Sequence, residues 1–206
     1  MQETLLVVII IAMVGLHKLG SWQMKLIVRS EVTNALKEIQ EITYIDELTG
    51  LPNRRGLKLM IRPLFARMSK PDKTPRISDL ESVYVVAVDI DGLKQVNDGI
   101  SHEAGDIFIQ TVAGCIQNNI RASDILARLG GDEFVVIFPD STEEQVNFAM
   151  KDARIELEER LPGYSFSHGV AGEVEVVDPD MYTYLYGIAD IRCHDHKVAS
   201  GKQRSN

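Results

Sequence analysis

The segment Val83–Ile90 reads VYVVAVDI, an apolar and β-branched run that ends on an acidic residue. It reads as a buried strand. A helical pattern follows over Glu103–Ile120. Ile125–Leu129 and Glu133–Phe138 read as short strands joined by Gly130, Gly131 and Asp132, a hairpin signal. A helix is predicted over Ser141–Arg160, capped by Ser141 with Glu144 three residues on. Tyr164–Ala171 reads as a further strand, and Met181–Lys197 as a last helix. From Val83 the order is β-α-β-β-α-β. That order predicts an α+β fold of the ferredoxin-like, palm-type kind, an antiparallel sheet with helices on one face. Asn53–Met68 reads as a preceding helix. Ser69–Ser82, with Pro71 and Pro75, reads as a loop.

The rest of the chain sets limits. It has 206 residues, with 22 Lys+Arg against 30 Asp+Glu and a net charge of −8. An acidic chain repels a phosphate polymer, so broad nucleic-acid binding is not expected. The cysteines, Cys115 and Cys193, lie far apart and suggest neither a metal motif nor a disulfide framework. Residues 1–20 contain an uncharged run, Leu5–Leu16 (LLVVIIIAMVGL), followed by Lys18, Lys25 and Arg29. The run alone covers about 18 Å as a helix, short of the ~30 Å hydrocarbon core. With its neighbours it reads as a membrane anchor. The basic residues then keep the remainder on the cytoplasmic side of that membrane. Over residues 21–45, Val28, Val32, Ala35, Ile39 and Ile42 follow a heptad seam that predicts a parallel coiled coil pairing two copies. Residues 46–206 form the globular part.

Acidic residues mark the chemistry of that part only in combination. Asp89 ends the most apolar strand, and Asp132 and Glu133 sit at the hairpin. If the two strands are neighbours, Asp89 and Asp132 converge at one sheet edge. Clustered carboxylates suit Mg²⁺, which takes carboxylate oxygens together with substrate phosphates. Gly130 and Gly131 would let the backbone approach a bulky phosphate.

Arg128–Phe134 (RLGGDEF) resembles the signature of the GGDEF family of diguanylate cyclases. Further elements appear in family order: Asp46–Arg55 (DELTGLPNRR), Val88–Asp98 (VDIDGLKQVND), His102–Asp106 (HEAGD) and Ser167–Ala171 (SHGVA). The resemblance implies condensation of two GTP into cyclic di-GMP and two pyrophosphates, at the interface of a homodimer. It implies Mg²⁺ (or Mn²⁺) held by Asp89, the Ile90 carbonyl and Asp132, with Glu133 as the catalytic glutamate. Lys94 and Lys197 correspond to phosphate contacts. The backbone of Gly92, Leu93 and Lys94, with Gly131, would cradle phosphates. Asn97 and Asp106 would read guanine, because a carboxylate only accepts and guanine offers N1–H and N2–H. Arg121 and Asp124 correspond to the family's RxxD site, where product binds as a feedback inhibitor. The family also implies a part in motility and biofilm control.

The chain departs from the family pattern at Leu93, usually Phe, and at Ser101, usually Gly. Its last helix keeps Ala189-Asp190 and Lys197, but Arg192, Cys193 and His194 replace the usual middle, and Lys202 is the remaining candidate for a second basic contact. The alternative reading is therefore a catalytically silent GGDEF domain that acts as a GTP or cyclic di-GMP receptor or scaffold.

Overall fold

A computed structural model describes residues 8, 9, 29, 44–68, 82–173 and 181–201. The chain divides into two compact units, residues 1–43 and 44–206. The expected anchor and heptad seam fall almost wholly outside the described residues, as do the proline-containing loop and Lys202. Among the described residues no helix is long and apolar enough to cross a membrane.

The second unit is built from α1 (Arg54–Met68), β1 (Val83–Asp91), α2 (Leu93–Gly99), α3 (His102–Asn118), β2 (Ile125–Gly130), β3 (Glu133–Pro139), α4 (Glu143–Arg160), β4 (Ser165–Glu173) and α5 (Met181–Ala199). The sheet order is β2-β3-β1-β4, with every pairing antiparallel. This bears out the α+β, palm-type arrangement.

The helices cover both faces of the sheet, not one as the strand order predicts. Val86, Val88 and Ile90 pack with Phe108, Val112, Val146 and Met150 of α3 and α4. Val83, Val85 and Ala87 pack with Leu57 and Ile61 of α1 and with Leu185, Ala189 and Cys193 of α5. Successive strand side chains point to opposite faces, so a strand covered on both sides must be apolar throughout. Burying one such side chain stabilises by about 1.5–3 kcal/mol. The flanking helices α1 and α5 lie outside the β-α-β-β-α-β count, which is why strand order alone misses the second layer.

One local reading is corrected and one element is added. The cap of α4 is Thr142, which accepts from Gln145 N–H, while the Gln145 side chain accepts from Thr142 N–H. Ser141, one residue earlier, is buried and donates to the Pro139 carbonyl instead. The region before α3 holds a separate short helix, α2, that hydrophobic periodicity does not reveal. Gly92 begins it at φ +77°, a conformation costly for a side chain with Cβ. Ser101 caps α3 by accepting from Ala104 N–H at 3.2 Å, which gives this departure from the family's glycine a structural role.

Candidate functional site

Strand register brings the acidic residues together. Asp89 of β1 pairs with Glu133 of β3 and with Ser167 of β4. Ile90 N–H donates to the Asp132 carbonyl at 3.1 Å, so the hairpin turn lies beside the end of β1. The β2–β3 hairpin is irregular: a register shift between Arg128 and Gly130 precedes the turn. Gly130 and Gly131 adopt φ +143° and +54°, in the region that favours glycine.

Alternation along β1 places Asp89 and Asp91 on the face covered by α5. Both are buried. Asp91 accepts from Ser165 Oγ at 2.7 Å and from Ser167 Oγ at 2.8 Å. Lys197, in the last turn of α5, is itself buried; its Nζ bonds Oδ1 of Asp89 and donates to the Ile90 carbonyl at 3.4 Å. The expected phosphate contact therefore lies against carboxylates. Asp91 and Ser167 belong to the VDIDGLKQVND and SHGVA elements but carry no site role in the sequence reading, and Ser165 lies outside every motif. The available signal was the Asp89-x-Asp91 spacing, which puts both carboxylates on one side of a strand.

Glu133 is partly exposed at the mouth, with Arg54 of α1 3.8 Å away. Arg128 pairs with Asp46 at 3.0 Å and donates to the Gly131 carbonyl from Nε and a terminal nitrogen at 3.1 and 2.8 Å. Burial raises the Asp46 carboxyl, but hydrogen bonds from Thr49 and Arg128 outweigh it and hold the group below the usual carboxylate range.

The other predicted residues spread around this edge. Lys94 is exposed on α2, whereas the Leu93 side chain is core, so only its backbone can meet a ligand. Asn97 lies against Gly105, the neighbour of Asp106: a Cβ at 105 would overlap the Asn97 amide oxygen. Asn97 therefore packs against the turn of α3 that carries the exposed Asp106. Arg121 and Asp124 occupy the opposite end of β2, about 17 Å away for a strand of that length. There Asp124 accepts from Arg121 N–H at 2.8 Å. Both line a cavity of about 300 Å³ with Asn119, Gln145 and Phe148. Burial raises the Asp124 carboxyl above its ordinary value.

Among the described residues, no group of three or more His, Cys, Asp or Glu side chains is arranged to hold a metal ion. The donor set does fit a hard cation that draws its remaining ligands from phosphates. Oδ2 of Asp132 is buried and accepts no hydrogen bond. The Asp89 carboxylate and Ile90 carbonyl already hold one cation, the Lys197 ammonium. A shielded, unpartnered carboxylate oxygen is costly without a positive partner.

The fold and this acidic edge define a nucleotide-cyclase-like palm domain. Residues 43–195 match the family described as diguanylate cyclase, GGDEF domain, and the chain belongs to that family. It is 29% identical over 183 residues to the probable diguanylate cyclase DgcE of Escherichia coli, covering 83% of this chain and 16% of that protein. A second relative, the probable diguanylate cyclase DgcJ of the same organism, is 41% identical over 99 residues, covering 48% and 18%. The chain thus spans under a fifth of either relative's length. Among solved structures, the isolated GGDEF domain of YfiN from Pseudomonas aeruginosa superposes with TM-score 0.63 at 27% identity, covering 75% of this chain and 89% of that one.

Proposed function

We propose that this protein is a diguanylate cyclase that condenses two GTP into cyclic di-GMP and two pyrophosphates. The observation that carries this reading is the register of Asp89 with Glu133, beside the unpartnered Oδ2 of Asp132. Asp89, the Ile90 carbonyl and Asp132 would hold Mg²⁺ or Mn²⁺. When bound, the metal lowers the pKa of the ribose 3′-hydroxyl and neutralises charge on the α-phosphate. Glu133, at the open mouth, receives the 3′-hydroxyl proton. Lys94 and the backbone of Gly92 and Leu93 bind the phosphates, and Gly131 leaves room for them. Asn97 and Asp106 orient guanine by accepting from its N1–H and N2–H, which adenine lacks in that arrangement. A site built on such a hydrogen bond can discriminate by about 10⁴.

One domain carries one such site, while the product joins two nucleotides. The reaction therefore requires two facing copies, and the heptad seam of residues 21–45 supports their pairing by raising local concentration. The run Leu5–Leu16 with its basic flank supports placement at a membrane, with the cyclase domain in the cytoplasm. Product would inhibit by binding at Arg121 and Asp124, since an arginine can grip guanine O6 and N7 with two hydrogen bonds.

The test is a product assay on the full chain in detergent with GTP and Mg²⁺, run beside Glu133→Ala and read by mass. Cyclic di-GMP from the wild type and none from the variant is the expected result. No product from a chain that binds GTP or cyclic di-GMP would overturn the enzyme reading and leave a receptor.

A further inference from the structure

Lys197 is only 1% exposed, although it carries an ammonium. Three oxygens surround its Nζ: it contacts Oδ1 of Asp89, donates to the Ile90 carbonyl at 3.4 Å, and stands 4.0 Å from Oδ1 of Asp91. Two of these, on Asp89 and Ile90, are the oxygens that the cyclase reading assigns to a divalent cation. An ammonium and a divalent ion cannot share them at close range, because two positive centres repel strongly where water is excluded.

We propose that Lys197 is a tethered competitor for the cation, whose ammonium must leave the Asp89–Ile90 oxygens before a divalent ion can bind there. The proposal rests on the cyclase reading for the identity of the ligand set. Two features make the exchange physically reasonable. Asp91 remains satisfied when the ammonium leaves, because Ser165 and Ser167 both donate to it. Lys197 also sits in the final turn of α5, which ends at Ala199 ahead of Gly201 at φ +70°. A terminal turn opens at lower cost than a helix interior. The released ammonium is then available to nucleotide phosphates, which reconciles the expected phosphate contact with the burial observed. The competition also couples two binding events: phosphates that attract the ammonium favour the cation, and the cation frees the ammonium for phosphates.

The test measures Mn²⁺ binding to the full chain in detergent, without nucleotide, by calorimetry or electron paramagnetic resonance. Lys197→Met is expected to bind Mn²⁺ about tenfold more tightly, or better, than the wild type. Lys197→Arg, which keeps the charge, should not gain that affinity. Amine labelling of the wild type provides an arm that needs no variant. Lys197 should be protected in chelator and labelled several-fold faster in saturating Mg²⁺, as mapped by mass spectrometry. Equal Mn²⁺ affinity in wild type and Lys197→Met would overturn the proposal, as would a Lys197 that stays protected in Mg²⁺. Cyclic di-GMP synthesis with unchanged Mn²⁺ affinity would sink this inference alone. Tighter Mn²⁺ binding in a chain that makes no cyclic di-GMP would sink the cyclase reading alone.

Discussion

Arg128 reaches the carboxylate of Asp46 across 82 positions of sequence, at 3.0 and 3.2 Å. The same guanidinium donates to the Gly131 carbonyl. One side chain thus ties the glycine hairpin, from which Asp132 and Glu133 project, to the turn that precedes α1. Asp46 is secured in its own right by Thr49, whose N–H and hydroxyl both donate to it.

Arg128→Ala is expected to destabilise the domain by about 1–2 kcal/mol, since it leaves a part-buried carboxylate with only its Thr49 donors and removes two bonds to the Gly131 carbonyl. Arg128→Lys should recover little, because an ammonium cannot serve the carboxylate and the carbonyl with a planar fork. Denaturant unfolding measures the first effect, and GTP turnover in the folded fraction measures the loosening of the hairpin. The lowered Asp46 carboxyl gives the sign of the pH effect. The stability it contributes is complete above the ordinary value of 3.8 and is lost as pH falls further.

Gly105→Ala separates binding from folding. Its Cβ would meet the amide end of Asn97, a partly exposed side chain that can swing aside. The fold should hold, with a change in melting temperature of a few degrees at most. On the proposed function, in which Asn97 and Asp106 orient guanine, the displaced Asn97 amide should raise KM for GTP about tenfold. A GTP titration with a parallel melt checks both halves.

Gly169→Ala should act oppositely, on the fold first. A Cβ at 169 would run into the backbone of α5 at Ala189, Arg192 and Cys193. Backbone cannot rotate away as a side chain can, so α5 must lift from β4. The expected loss is about 2–4 kcal/mol, read by chemical denaturation. Because α5 carries Lys197, the Lys197–Asp89 contact should weaken with it.

His168 predicts a second pH dependence. Burial, then the charge of Arg154, then His196, lowers its pKa from 6.5 to about 4. Its Nδ1 and that of His196 are buried without hydrogen-bond partners, and the two rings lie 6.0 Å apart. The unfolded chain therefore takes up a proton at a higher pH than the folded one. The stabilisation is complete above 6.5 and is lost between 6.5 and about 4, on the order of 3 kcal/mol at most. His168→Val should flatten the stability profile across that window while leaving the slope below it. Unfolding free energies measured from pH 3 to 7.5 decide this.

The sequence by itself determined the family, the strand that carries Asp89, the hairpin that carries Asp132 and Glu133, and the α+β order. These rest on local patterns: apolar runs, turn glycines and ordered motifs leave their mark within a few residues. The short helix α2 escaped because its seven residues hold too little periodicity, and the cap of α4 shifted by one residue to the side chain whose N3 partner, Gln145, completes the box. The second helical layer was beyond reach for another reason. A strand buried on both faces is apolar throughout, and such a run does not say which helices cover it. Only the tertiary structure decided that α5 lies over Asp89 and Asp91, that Lys197 enters their carboxylates, and that Ser165 and Ser167 hold Asp91 from the neighbouring strand. Those contacts join residues more than 70 positions apart, and long-range pairing of buried charge is set by packing and register rather than by any local pattern.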